Sequence, residues 1–138
     1  LAQAMNQSGK SGSLFAKVAT ILPLICLPIA VASTGLALSI GWAIEDGLMT
    51  EAGMLYGASE GVNSTVFNVL GISWILLGIA MLLQKNLHLI LAILLIVIGA
   101  AMFLMNIVGG FLWIPGFLGF LILSLATGIL TVINRNTD

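Results

Sequence analysis

Residues 87–105 read LHLILAILLIVIGAAMFLM, and after His88 this stretch contains no polar side chain. A helix rises 1.5 Å per residue, so a helix of this length covers about the 30 Å of a bilayer's hydrocarbon core. The run is continuously apolar, whereas a strand of an outer-membrane barrel alternates apolar and polar side chains. We therefore predict a membrane-spanning helix over residues 87–108.

Three further apolar stretches of spanning length surround this segment, at residues 14–44, 64–84 and 111–133. The breaks at 85–86 and at Gly109-Gly110 are short, which favours tight antiparallel turns, and glycine permits the left-handed backbone that such turns use. The sequence thus predicts an all-α, polytopic membrane protein, an antiparallel four-transmembrane-helix bundle.

The four predicted helices form one predicted domain, residues 14–133. An outer loop is predicted over residues 45–63, and polar cytoplasmic tails over 1–13 and 134–138. Composition supports this class: 60% of the 138 residues are hydrophobic and 7% are charged, and the mean hydropathy is +1.21. A soluble domain carries about 25% charged residues, and a chain of this size cannot bury so much apolar surface in one core.

The charges separate onto two sides of the four-helix prediction. The basic residues are on one side, at Lys10, Lys17, Lys85 and Arg135, and four of the five acids share the outer loop, at Glu45, Asp46, Glu51 and Glu60. Because basic residues are retained on the cytoplasmic side, we predict that both termini lie inside and the acidic loop lies outside. The expected location is the plasma membrane, as a multi-pass integral protein.

Two prolines interrupt the first predicted helix. Pro23 and Pro28 lack a backbone N–H, which frees the carbonyl groups four residues earlier, at Ala19 and Leu24. We expect a bend there, with a hydroxyl re-satisfying the freed groups; the candidates in the sequence are Thr20, Ser33 and Thr34.

The outer loop contains apolar residues at helical spacing. This pattern predicts a short interfacial helix over residues 50–56. The second membrane helix is then expected to begin after an N-cap at Asn63 or Ser64.

Small residues recur at helical spacing on the predicted membrane helices, which lets helices approach closely in lipid. The candidate helix-packing or partner contacts are Asn68, Gly71, Trp74, Gly78, Gly99, Asn106, Gly116, Ser124 and Gly128. Asn68 and Asn106 are predicted either to share a hydrogen bond or to contact another subunit. Trp74 is expected in the core, and Trp42 and Trp113 are expected as interfacial anchors.

The predicted spans lack ionisable side chains. No Asp, Glu, Lys, Arg or His occurs within residues 18–43, 64–84 or 89–133, although proton- or ion-coupled carriers depend on such groups. His88 is the one histidine and Cys26 the one cysteine, so no ordinary metal or haem site is expected. We predict no catalytic residues, no metal and no cofactor, while bound lipids are compatible with the sequence.

These features favour a non-catalytic structural or accessory integral-membrane subunit of a larger complex, which packs against and stabilises catalytic or transport subunits. The expected partners are other integral-membrane subunits and the lipid bilayer, with no nucleic acid. The alternative is a self-assembling channel or carrier for a neutral small solute. Its predicted lining consists of hydroxyl side chains, at Thr20, Ser33, Thr34, Ser39, Ser124, Thr127 and Thr131.

Overall fold

The structure, a computed structural model, describes residues 11–84 and 89–108, and in the last part of the chain residues 118, 119, 121, 122, 124–126 and 129. Within 89–108, side chains are described as far as residue 104. The described residues form three complete helices, α1 (Ser13–Glu45), α2 (Met49–Gln84) and α3 (Leu89–Val108). This part of the chain contains no strand, so the predicted all-α class is confirmed for it.

α1 is continuous through both prolines and has glycine-dependent ends. Gly12 precedes it with φ +82°, and Gly47 follows it with φ +77°. At the C-terminal end the N–H of Leu48 donates to the carbonyl of Ala43 at 2.8 Å and the N–H of Gly47 to that of Ile44 at 3.1 Å. This pair of bonds is a Schellman motif, which satisfies the last carbonyls of the helix and turns the chain sharply.

The turn between α1 and α2 comprises residues 46–48 only, which corrects the predicted outer loop over 45–63. Residues 50–56 are helical, but they are the first turns of α2 and not a separate interfacial helix. Asn63 and Ser64 consequently lie inside α2 and do not cap it.

The physical reason for this early start is packing against α1. Ala52 and Ser59, seven residues apart and therefore on one side of α2, are 6% and 5% exposed. Their small side chains let the two helices pair along the whole turn-proximal region, and this tertiary contact overrides the weak helix propensity of the glycines nearby. Glu51 lies in the first turn of α2, where a negative charge favours the helix dipole.

α2 lies between α1 and α3. Both of these helices pack on α2, and the described residues show no contact of α1 with α3. Residues two apart on a helix point about 200° apart, and α2 uses this geometry: Ser73 faces α1 while Gly71 faces α3. The core is a small cluster made of Ala16, Ala80, Met81, Leu91, Ala92 and Leu95.

Two of the helices, α1 and α2, are long and apolar enough to cross a membrane, and α3 contains a shorter apolar stretch, Leu89–Leu104. The described residues between 118 and 129 are also helical, and Gly119 lies against the side chain of Ile98 on α3. The remainder of the predicted fourth helix, 111–133, lies outside the described residues. The four-helix bundle and its orientation therefore stay predictions.

Candidate interhelical contact site

Glycines on α2 and α3 bring the two backbones into direct contact. A Cβ atom added to Gly71 would lie 2.6 Å from the carbonyl oxygen of Gly99, and a Cβ added to Gly99 would lie 2.6 Å from the carbonyl oxygen of Gly71. Such distances are shorter than any real carbon–oxygen contact, and the obstructing atoms belong to backbone. Only glycine fits at either position.

Gly78 forms a second close contact one heptad along the same face of α2. Its added Cβ would lie 2.7 Å from the carbonyl oxygen of Ala92 and 2.6 Å from Cγ1 of Ile96. The structure therefore brings Gly71, Gly78 and Gly99 of the sequence-derived candidates into one seam. Small residues at seven-residue spacing are typical of helices that approach closely in lipid.

A hydroxyl of α2 replaces the hydrogen bond that Pro23 removes from α1. Pro23 has no N–H to donate to the carbonyl of Ala19, and Ser73 Oγ, which is buried, donates to that carbonyl at 2.8 Å. The freed carbonyl was predictable from the position of the proline. Its donor was missed, because Ser73 lies on another helix, 54 positions away in the sequence.

The predicted donors have other partners. Thr20 Oγ1 donates to the carbonyl of Ala16 at 2.8 Å, and Thr34 Oγ1 to that of Ala30 at 3.1 Å. Ser33 Oγ donates to Asn63 Oδ1 at 2.7 Å, which ties α1 to α2. The only signal for Ser73 in the sequence is its place on α2, about 200° from the glycine face.

For the other candidate residues the structure gives only burial or packing, or they lie outside the described residues. Trp74 is partly buried and packs against the core cluster, and Asn68 and Ser124 are partly buried. Trp42, near the end of α1, is 65% exposed. Trp113, Gly116 and Gly128 lie outside the described residues, as does the side chain of Asn106. The expected contact of Asn68 with Asn106 therefore stays a prediction.

The α1 hydroxyls that are proposed to line a pore all donate hydrogen bonds to the chain itself. Thr20, Thr34 and Ser39 each donate to the carbonyl four residues earlier in α1, and Ser33 bonds across to α2. Such back-bonding is a common use of Ser and Thr inside apolar helices. Thr127 and Thr131 lie outside the described residues.

The described charged side chains are all exposed. Lys17 lies near the start of α1, Glu45, Asp46 and Glu51 lie around the α1–α2 turn, and Glu60 lies about three turns into α2. Cys26 is buried in α1. The arrangement therefore provides close backbone packing between α2 and α3 and two hydrogen bonds between α1 and α2, from Ser33 and from Ser73. It also places exposed acids near one end of the α1–α2 pair.

Comparisons of the chain with protein-family models, with curated proteins and with solved structures find no match.

Proposed function

We propose that this chain is a non-catalytic structural subunit of a larger integral-membrane complex. In this proposal four helices cross the plasma membrane, both termini face the cytoplasm and the acidic α1–α2 turn faces outward. The chain acts by packing against catalytic or transport subunits and by holding them in place.

The observation that carries the proposal is the open apolar surface of α1. Among the described helices α1 contacts α2 alone, and side chains on its other sides are widely exposed, including Leu24 at 60%, Leu27 at 60% and Val31 at 71%. An apolar helix with a single neighbour is stable in lipid or against the helices of another subunit, and not in water.

The chemistry of the contacts supports the same role. Apart from Met81, the buried residues of α2 are glycines, alanines and serines. No ionisable residue occurs in the predicted spans. Ionisable groups within a membrane are expensive and mark ion, proton or substrate pathways. A chain without them contributes mainly surface and shape.

The alternative channel or carrier for a neutral solute receives no support from a particular contact. Its lining hydroxyls on α1 are engaged with backbone or with Asn63. We therefore propose the subunit role alone.

The test is the composition of the particle that contains this chain. The chain, tagged at its own locus, is extracted in a mild detergent, separated by native electrophoresis and identified with its neighbours by mass spectrometry. We expect other integral-membrane subunits in a fixed molar ratio that persists in two unrelated detergents. A band that contains this chain alone refutes the proposal and moves attention to solute flux in vesicles.

A further inference from the structure

Two prolines free two carbonyl groups of α1, and these groups lie on different sides of the helix. Pro23 removes the donor to the carbonyl of Ala19, and Pro28 removes the donor to the carbonyl of Leu24. Successive residues of a helix are turned by about 100°, so positions five apart differ by about 140°. If the first carbonyl faces α2, the second must be turned away from it.

The burial of the two residues agrees with this geometry. Ala19 is 5% exposed, and Ser73 Oγ of α2 donates to its carbonyl at 2.8 Å. Leu24 is 60% exposed. In the part of the chain that the structure describes, the side-chain hydrogen bonds that involve α1 all use other acceptors than the Leu24 carbonyl. The chain thus supplies a donor for the first freed carbonyl and none of its described side chains serves the second.

The side of α1 around the second carbonyl is apolar. Leu27 and Val31 are 60% and 71% exposed, and Pro28 is exposed between them. Spacings of three and four residues place Leu24, Leu27, Pro28 and Val31 on one side of a helix, here called the Pro28 face. A helix that packs on this face meets apolar side chains and one freed polar atom, the carbonyl oxygen of Leu24.

The depth of Leu24 makes a donor necessary. In the proposed membrane crossing, Leu24 lies about 16 Å along α1 from Ser13, near the middle of a hydrocarbon core about 30 Å thick. Acyl chains have no hydrogen-bond donor, and a backbone carbonyl without a partner is destabilising in hydrocarbon. The group that covers the Pro28 face is therefore expected to bring a donor with it.

The chain's own hydroxyls at this depth are already engaged. Because Ser73 contacts Ala19, the antiparallel pairing of α1 and α2 places Leu24 level with Asn68. A hydroxyl has one proton to donate. The α1 and α2 hydroxyls within two turns of this level all have partners, at Thr20, Ser64, Thr65 and Ser73. A second copy of this chain would therefore present no spare hydroxyl of α1 or α2 at this depth.

We propose that the Pro28 face of α1 packs against a membrane helix of a partner subunit, and that a Ser or Thr hydroxyl of that helix donates to the carbonyl of Leu24. Between subunits, this contact repeats what Ser73 does within the chain at Pro23. The inference rests on the subunit role proposed above, and it adds the surface, the chemistry of the partner helix and the atom to which that helix bonds.

The first test restores the missing N–H. Pro28→Ala lets residue 28 donate to Leu24 within α1, so the partner hydroxyl loses its acceptor. We expect this variant, expressed beside an equal amount of wild-type chain, to be at least about fivefold under-represented in the purified complex, because one hydrogen bond is worth a factor of this order. Pro23→Ala is the matched control. The carbonyl that it satisfies is already bonded inside the chain, so its incorporation should equal that of wild type.

The outcomes of this competition separate the two proposals. Equal incorporation of Pro28→Ala and wild-type chain into a complex that still forms overturns the contact at Leu24 and leaves the subunit role intact. Purification of the wild-type chain by itself defeats both.

The second test identifies the partner helix. A photoreactive residue at position 27, on the Pro28 face, is cross-linked in intact membranes of cells that carry the full complex, and the linked peptide is sequenced. We expect a membrane helix of a co-purifying subunit, with Ser or Thr within one turn of the linked residue. A cross-link to this same chain, whether to residues 109–138 or to a second copy, overturns the proposal, and so does labelling of lipid alone.

A double-mutant cycle then separates the hydrogen bond from any change in the bend of α1. Replacing the partner's Ser by Ala, or its Thr by Val, should lower recovery of the complex several-fold with the wild-type chain. The same replacement should have little effect with Pro28→Ala, because the Leu24 carbonyl then has a donor within α1. Equal losses with both chains would show that no such hydrogen bond exists.

Discussion

At the scale of single residues, α1 and α2 are joined at a carbonyl that a proline leaves without its usual donor. Pro23 removes the bond to Ala19, and Ser73 supplies it from α2 at 2.8 Å. The sequence predicts the freed carbonyl, because the loss follows from local covalent structure. The donor depends on how two helices are rotated against each other, and a single sequence does not contain that information.

We expect Ser73→Ala to destabilise the chain by about 1 kcal/mol, because a buried carbonyl then lacks a partner. The same change in a Pro23→Ala background should cost much less, since the restored N–H of residue 23 bonds to Ala19. Reversible unfolding in mixed detergent micelles measures both values. Ser39→Ala, which removes an exposed bond within α1, is the control and should have little effect. Equal costs of Ser73→Ala in the two backgrounds would falsify this role for the serine.

At the scale of elements, contacts between helices decide where the helices begin and how near they come. The small residues Gly71, Gly78 and Gly99 were candidates for packing from their spacing alone, and the structure places them in the α2–α3 seam. The start of α2 was mispredicted by fifteen residues, because polar and glycine residues over 49–63 resemble a loop. Ala52 and Ser59 are buried on this part of α2, which packs against α1, and burial between two helices is not visible in a local sequence pattern.

We predict that a glycine-to-alanine change affects stability differently inside and outside the α2–α3 seam. Gly71→Ala drives a methyl group into the backbone of α3 and should destabilise the chain by about 1–3 kcal/mol. Gly53→Ala adds the same methyl to an exposed helical position with open space, and it should be neutral or stabilise by up to about 1 kcal/mol. The same micelle unfolding assay compares them. If both variants lose equal stability, the close approach at Gly71 is not what holds the seam.

At the scale of the whole molecule, α2 lies between α1 and α3 among the described helices. The helices are apolar, and exposed acids surround the turn between α1 and α2. Composition and charge placement predict the helical class and the two sides of the chain, because both follow from the cost of burying charge in hydrocarbon. They do not predict that α2 begins at Met49, since the polar and glycine residues over 49–63 give no hydropathy signal. The account depends on α1 and α2 crossing the bilayer, with the turn between them on its outer side.

The most direct measurement is the reaction of single cysteines with a membrane-impermeant maleimide on intact cells, in a Cys26→Ala background. We predict that Asp46→Cys reacts on intact cells, that Ser11→Cys reacts only after permeabilisation, and that Leu24→Cys reacts in neither case until detergent denatures the chain. Asp46 and Ser11 are exposed at opposite ends of α1, and Leu24 is 60% exposed between them, so its protection must come from the bilayer or from a partner helix within the bilayer. Reaction of Leu24→Cys as fast as Asp46→Cys would contradict the membrane crossing, and reaction of Ser11→Cys but not Asp46→Cys on intact cells would contradict the orientation.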